Sequence, residues 1–288
     1  MTPLRQKLID ELDLRGLSPL TKDNYLAAVI RLARHHRASP DTLNDEQIKA
    51  YLLHLIRERG LKPNTVNVHV AALRFFYEKV LGRAFDAVAA SLPRMKRGVK
   101  RPQVYAVTEL ERLFAAPRLN GKHRVLLMTA YSAGLRVSEL CRLTPQDILS
   151  ERMQIRVAEG KGCKDRYTVL SARLLEELRD YWRRYRPVRW LFPTQREPGK
   201  AITPRTAQRV FRRALALAGL EERGGIHVLR HSFATHLLEA GVELPVLQRL
   251  LGHRSLSVTA TYLHVANARL TQVRSPLDLV DLCAVKAG

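Results

Sequence analysis

Between Pro93 and Pro102 the chain reads PRMKRGVKRP, and this stretch restricts the possible folds more than any other. Its two prolines, one glycine and five basic residues leave no apolar period with which a helix or strand could bury a face. The full 288 residues also exceed the usual size of a single core. The chain is therefore expected to fold as two units: an N-terminal domain over 1–92, a basic linker over 93–104 and a C-terminal domain over 105–288.

The first unit reads as all-helical. Ser18-Pro19 has the form of an N-cap followed by proline at the first helical position, and Tyr25, Leu26, Val29, Ile30 and Ala33 then recur at helical spacing. A second helix is predicted from Asn44, with Gln47 three residues on completing a capping box, through to Gly60. A third runs through TVNVHVAALRFFYEKVL and stops at Gly82. The basic cluster Arg31, Arg34, His35, His36 and Arg37 fits either phosphate tracking or a solvated face.

In the second unit Thr108-Glu109-Leu110-Glu111 reads as a capping box, and the helix GKHRVLLMTAYSA leads to a turn at Gly134 that presents Arg136 at the next helix start. The period then changes. Alternation on both sides of Gly160-Lys161-Gly162 predicts a β-hairpin with Lys161 at its tip. Further helices are expected from Ala172, from Thr203-Pro204 and from His227, the last capped by Gly241. The fold class that follows is mostly α with a small β-sheet.

Lys and Arg number 49 against 27 Asp and Glu, a formal net charge of +22 that points to a polyanionic partner rather than a small metabolite. No apolar run of about 18 residues is present to span a bilayer, and the N-terminus lacks the apolar core of a secretory signal, so a cytoplasmic location is expected. Cys141, Cys163 and Cys283 are odd in number and have no CxxC spacing, which speaks against a disulfide frame or a structural zinc site.

Arg136, Lys161, His227, Arg230, His253 and Tyr262 together suit one chemistry. When a tyrosine attacks a phosphodiester, negative charge builds on the non-bridging oxygens, and guanidinium and imidazole donors can meet it without a metal. Arg230 follows His227 by three positions, so on a helix both reach one phosphate. A phenol of pKa about 10 needs a base or a cationic site to attack as phenolate. His227 is the candidate proton acceptor from Tyr262, His253 a donor to a non-bridging oxygen, and Glu139 a support for the Arg136 guanidinium. Lys161 or Lys164 is the candidate acid for the departing oxygen.

These residues sit in YSAGLRVSEL, EGKGCKDR, HVLRHSFATHLLEAG and LGHRSLSVTATYLH, with Tyr262 nine positions after His253. Over nearly its full length the chain resembles the tyrosine recombinases of the phage integrase family, and in layout the bacterial Xer-type enzymes. The resemblance implies an N-terminal SAM-like helical core-binding domain and a catalytic domain, closing as a C-shaped clamp on double-stranded DNA. It implies site-specific cleavage and rejoining through a 3′-phosphotyrosine and a free 5′-hydroxyl, with no cofactor, metal or ATP. The family pattern places the acidic lysine first in GKG-x-K, which selects Lys161 over Lys164. It also implies a homo-tetramer on two DNA sites. The tail ARLTQVRSPLDLVDLC, with Leu270, Val273, Leu277, Leu279, Val280 and Leu282, would dock in a groove in cis or on the next subunit.

The helix beginning at Thr203-Pro204 is expected to expose Arg205, Gln208, Arg209, Arg212 and Arg213, and in the family the equivalent helix touches bases in the major groove. His227 and His231 at i and i+4 imitate a zinc pair, but no HExxH glutamate accompanies them and Arg230 lies between, so no metal site is expected. Two rivals remain: a type IB topoisomerase-like enzyme, against which the N-terminal helical domain and tail weigh, and a non-cleaving DNA-binding regulator, against which the intact six-residue set weighs.

Overall fold

A computed structural model of the protein describes residues 2–83, 102–158, 165–195, 197 and 199–263. The hairpin tip with Lys161 and Lys164, most of the 93–104 linker and the tail after Leu263 lie outside the described residues. The chain divides into two compact units, with the division between residues 99 and 100.

Four α-helices among the described residues build the first unit: α1 (Pro3–Leu14), α2 (Pro19–His36), α3 (Asp45–Arg57) and α4 (Pro63–Phe75). The predicted caps form. Ser18 Oγ accepts from the Thr21 N–H at 3.3 Å, and Asn44 and Gln47 exchange side-chain and backbone bonds of 2.9 and 3.0 Å. α4 widens into a π turn over Phe76–Val80, and the chain turns at Gly82 with φ of 65°. α1 was not foreseen; Leu4, Leu8 and Leu12 place one apolar stripe on it, and the last two are buried with Val29, Leu32, Ile48, Leu52, Leu73 and Phe76.

The second unit contains α5 (Val107–Phe114), α6 (Gly121–Ser132) and α7 (Val137–Arg142), then an antiparallel sheet of β1 (Ile148–Leu149), β2 (Gln154–Val157) and β3 (Arg166–Val169) in sequential order. β2 and β3 pair antiparallel from Gln154↔Val169 to Val157↔Arg166, as the two strands of the predicted hairpin. α8 (Ala172–Tyr185), α9 (Pro204–Leu217), α10 (His227–Glu239), α11 (Leu244–Leu251) and α12 (Leu256–Ala260) follow. Among the described residues no helix is long and apolar enough to cross a membrane.

One local expectation is corrected. Thr108 lies inside α5, and the N-cap is Ala106, which has no side-chain acceptor; only the Glu109 half of the box exists, accepting from the Ala106 N–H at 2.8 Å. Glu109 is turned to a second task, a paired contact with Arg223 at 2.6 and 2.8 Å.

α6 and α10 are the central helices. Six consecutive residues of α6, Val125 to Ala130, are buried, and α10 buries Val228, Leu229, Arg230 and the run Ser232–Thr235. A helix covered on most sides shows no simple stripe, which suits its place in a core. The two meet where α6 ends. Gly134 has φ of 57°, and a Cβ there would overlap the ring of Phe233 on α10. Glycine thus serves both the left-handed turn and the close helix approach. Gly134→Ala is expected to destabilise the second unit by about 2 kcal/mol or more, from backbone strain plus overpacking. Thermal melting checks this, and the parent's melting temperature in the variant would contradict it.

Candidate active site

The turn at Gly134 delivers Arg136 as the N-cap residue of α7, one helical turn before Glu139. Glu139 is 8% exposed and is the centre of the site. Its Oε2 accepts from the Arg136 backbone N–H and its Oε1 from Arg136 Nη1, both at 2.7 Å. Arg166 of β3 donates to both oxygens at 2.8 Å, and Arg230 Nη1 stands 3.7 Å from Oε2. Burial alone would raise this carboxyl, but hydrogen bonds and charge from Arg166 and Arg136 dominate and hold it down at about 2. The support expected of Glu139 is thus visible as contact.

Arg230, 3% exposed, is fixed by main-chain carbonyls: Nη1 donates to Gly134 at 2.7 Å and Nη2 to Leu251 at 2.6 Å. Nη2 also lies 3.1 Å from His253 Nε2. A guanidinium only donates, so Nε2 accepts and the His253 proton sits on Nδ1, which donates to Thr259 Oγ1 at 2.9 Å. Burial, with the charges of Arg230, Arg136 and Arg166, pushes His253 down to about 4, so it is neutral at physiological pH.

Tyr262 follows α12 and is only 4% exposed. Its ring packs among Phe233, Ala234, Leu238, Leu247 and Leu251 and stacks on His253 at 6.3 Å between centroids. Burial raises the phenol's pKa, while Arg230 and Arg136 pull against that rise. Its hydroxyl is 3.0 Å from His231 Nδ1.

His227 is the candidate acceptor of the Tyr262 proton in the sequence; the imidazole in hydrogen-bond contact with the Tyr262 hydroxyl is His231, one turn further along α10, and the two rings are 6.4 Å apart. His227 stands exposed at the first position of α10, where partial desolvation and the charges of Arg230 and Arg136 lower its pKa. Arg136, His227, Arg230, His253 and Tyr262 are therefore gathered in one place, while Lys161 is outside the described residues. The strands that flank Lys161 do reach the site, because Arg166 begins β3.

Two residues of the site were missed as such, Arg166 and His231. Arg166 shares one face of β3 with buried Thr168, and a charge in that register requires a carboxylate. His231 was weighed only as half of a zinc pair; its signal was the shared helix face with His227.

Of the residues expected to face DNA on α9, Arg205, Arg209, Arg212 and Arg213 are exposed, with Arg212 paired to Glu222 at 2.8 Å. Gln208 is not on that face. Its Oε1 accepts from the Ile226 N–H at 2.8 Å and so holds the turn that starts α10. Arg209 and Arg213 instead share a cavity of about 630 Å³ with Lys122 and His123 of α6.

Residues 104–269 match the phage integrase family, and residues 4–87 match the phage integrase N-terminal SAM-like domain. The chain is 44% identical to the integrase/recombinase y4qK of Sinorhizobium fredii over 97% of its own length and 90% of that protein. It is 34% identical to tyrosine recombinase XerA of Thermococcus kodakarensis, covering 94% and 93% of the two. In fold it is similar to XerH site-specific recombinase in a post-cleavage complex with palindromic difH substrate, with a TM-score of 0.71 at 23% identity over 90% of this chain and 80% of that one. The chain belongs to the phage integrase family. It is a tyrosine-type site-specific recombinase.

Replacing Glu139 with Gln leaves three guanidinium groups facing a neutral amide. Glu139→Gln is expected to cost about 3 kcal/mol, the order seen when one member of a buried ion pair is removed. Denaturant unfolding measures it; a loss below about 1 kcal/mol would show that the arginines are held by their carbonyl contacts instead.

Proposed function

We propose that this chain cuts and rejoins double-stranded DNA at a defined site, with Tyr262 as the nucleophile that becomes linked to the 3′-phosphate. The observation that carries this reading is the Tyr262 hydroxyl held beside Arg230 and the Arg136–Glu139 pair, where positive charge gathers around one oxygen nucleophile. Arg136 and Arg230 meet the non-bridging oxygens with planar, paired donors. His253 adds a third donor there once a phosphate draws Arg230 away from its Nε2 and that nitrogen takes up a proton. The phenol proton leaves Tyr262 through its hydrogen bond to His231, and His227, open to solvent beside Arg230, is its final acceptor. Lys161 gives a proton to the 5′-oxygen as the P–O bond breaks, and the Tyr–O–P bond keeps the bond energy, so rejoining needs neither ATP nor metal.

The working unit in this proposal is a homo-tetramer on two DNA sites, with the segment after Leu263 docking in cis or on the next subunit. The exposed arginines 205, 209 and 212 of α9 follow the DNA backbone, and the excess of basic residues keeps the protein on the nucleoid within the cytoplasm while it acts.

Sequencing DNA covalently trapped on the protein after denaturation is expected to return one recurrent site. Tyr262→Phe should bind that DNA with nearly unchanged affinity and form no adduct, because only the nucleophilic oxygen is lost. An adduct that persists in this variant would overturn the assignment of Tyr262.

Sulfur in place of the 5′-oxygen makes the leaving group a thiol of pKa about 8.5, which departs without a proton donor. Lys161→Ala should therefore cut ordinary DNA poorly and a 5′-bridging phosphorothiolate strand nearly as well as the parent. Arg136→Ala should show no such rescue, since the charge on the non-bridging oxygens remains. Rescue of Lys164→Ala alone would move the role to that lysine.

A further inference from the structure

We propose that His231 is a further catalytic residue, whose Nδ1 accepts the hydrogen bond of the Tyr262 hydroxyl and so aims the attacking oxygen. The proposal rests on Tyr262 being the nucleophile. His231 follows Arg230 directly on α10, so one helical turn carries both the group that grips the phosphate and the group that orients the attacker.

The geometry leaves the phenol little choice. His253 stacks on one face of the ring at an interplanar angle of 8°, and the His231 ring lies tilted 5.6 Å away. Phe233, Leu238, Leu247 and Leu251 surround the remaining apolar edge. Rotation about the C–O bond is then the main freedom left, and the bond to Nδ1 sets it: with the hydrogen directed at His231, an oxygen lone pair is left for an electrophile on the other side. Burial, helped by the charges of His227 and Arg230, pushes His231 down to about 4, so the imidazole stays neutral and can accept across the physiological range.

An apolar packing role would not need this chemistry. Leucine or phenylalanine would fill the half-buried position without the penalty that an imidazole nitrogen pays when it is buried without a partner. The bond satisfies the phenol and the imidazole together, and a misaimed nucleophile loses about 100-fold in rate for a displacement near 1 Å.

The atom involved makes the proposal testable. Asparagine places Oδ1 close to the position of Nδ1, whereas glutamine places Oε1 close to that of Nε2. The DNA recovered from adducts of the parent protein serves as the probe, and the single-turnover rate of adduct formation by the full chain is read alongside DNA affinity and thermal melting. His231→Phe is expected to keep DNA affinity and lose about 100-fold in adduct rate; His231→Asn is expected to stay within about tenfold of the parent, and His231→Gln to resemble the Phe variant. If His231→Phe does not melt cooperatively, the other two variants decide: activity in Asn alone supports the proposal, and equal rates overturn it. A parent-like rate in His231→Phe beside an inert Tyr262→Phe overturns this proposal alone. An adduct in Tyr262→Phe overturns the nucleophile assignment and this proposal with it.

Discussion

One buried carboxylate organises the second unit. Glu139 receives Arg136 from its own helix and Arg166 from the sheet, and it lies within 4 Å of Arg230 from the central helix. Three guanidinium groups brought this close would repel one another in a site of low dielectric, and burying any one of them alone would be costlier still. The carboxylate offsets part of that repulsion without neutralising it. A net positive site remains, with the donors already oriented, as stabilisation of a pentavalent phosphorus requires.

The same excess of charge sets the state of the imidazoles. His227, His231 and His253 are all pushed below the ordinary imidazole value, the last two to about 4, by burial and by the neighbouring arginines. Neutral rings can accept hydrogen bonds, and two of them do so from defined partners: His253 from Arg230 and His231 from the Tyr262 hydroxyl. The sign of this effect matters for stability. A histidine whose folded pKa is lowered binds its proton more readily when unfolded, so His231 and His253 favour the folded state above pH about 6.5 and lose that contribution as pH falls toward about 4.

Much of this was legible in the sequence because it is local. Ser18, Asn44 and Thr203 cap helices through bonds that span three residues, and Gly82 and Gly134 mark left-handed turns that short-range sterics demand. The antiparallel pairing of β2 with β3 followed from alternation around the glycines of the hairpin. What was misread is non-local. Gln208 was placed on the exposed face by helical spacing alone, yet its partner is the Ile226 amide, 18 residues away. His231 and Tyr262 are 31 residues apart and Arg166 and Glu139 are 27, and no periodicity connects such pairs. Thr108 was misread for a different reason: Thr108-x-x-Glu111 has the form of a capping box, but helix α5 is capped two residues earlier, at Ala106, and uses Glu109.

Tyr262, the proposed nucleophile, and the hydrophobic core are also not separable here. Tyr262 is packed as a core residue with Leu247 and Leu251 of α11, and the carbonyl of Leu251 is one of the acceptors that hold Arg230. Gly252 follows at once, and a Cβ there would come within 2.6 Å of Arg166 Cδ. The end of α11 thus touches Tyr262, Arg230 and Arg166, the arginine that clamps Glu139. A shift of this helix end therefore moves attacker and clamp together instead of disturbing one against the other. Packing against α11 is in this sense part of the alignment on which in-line attack depends.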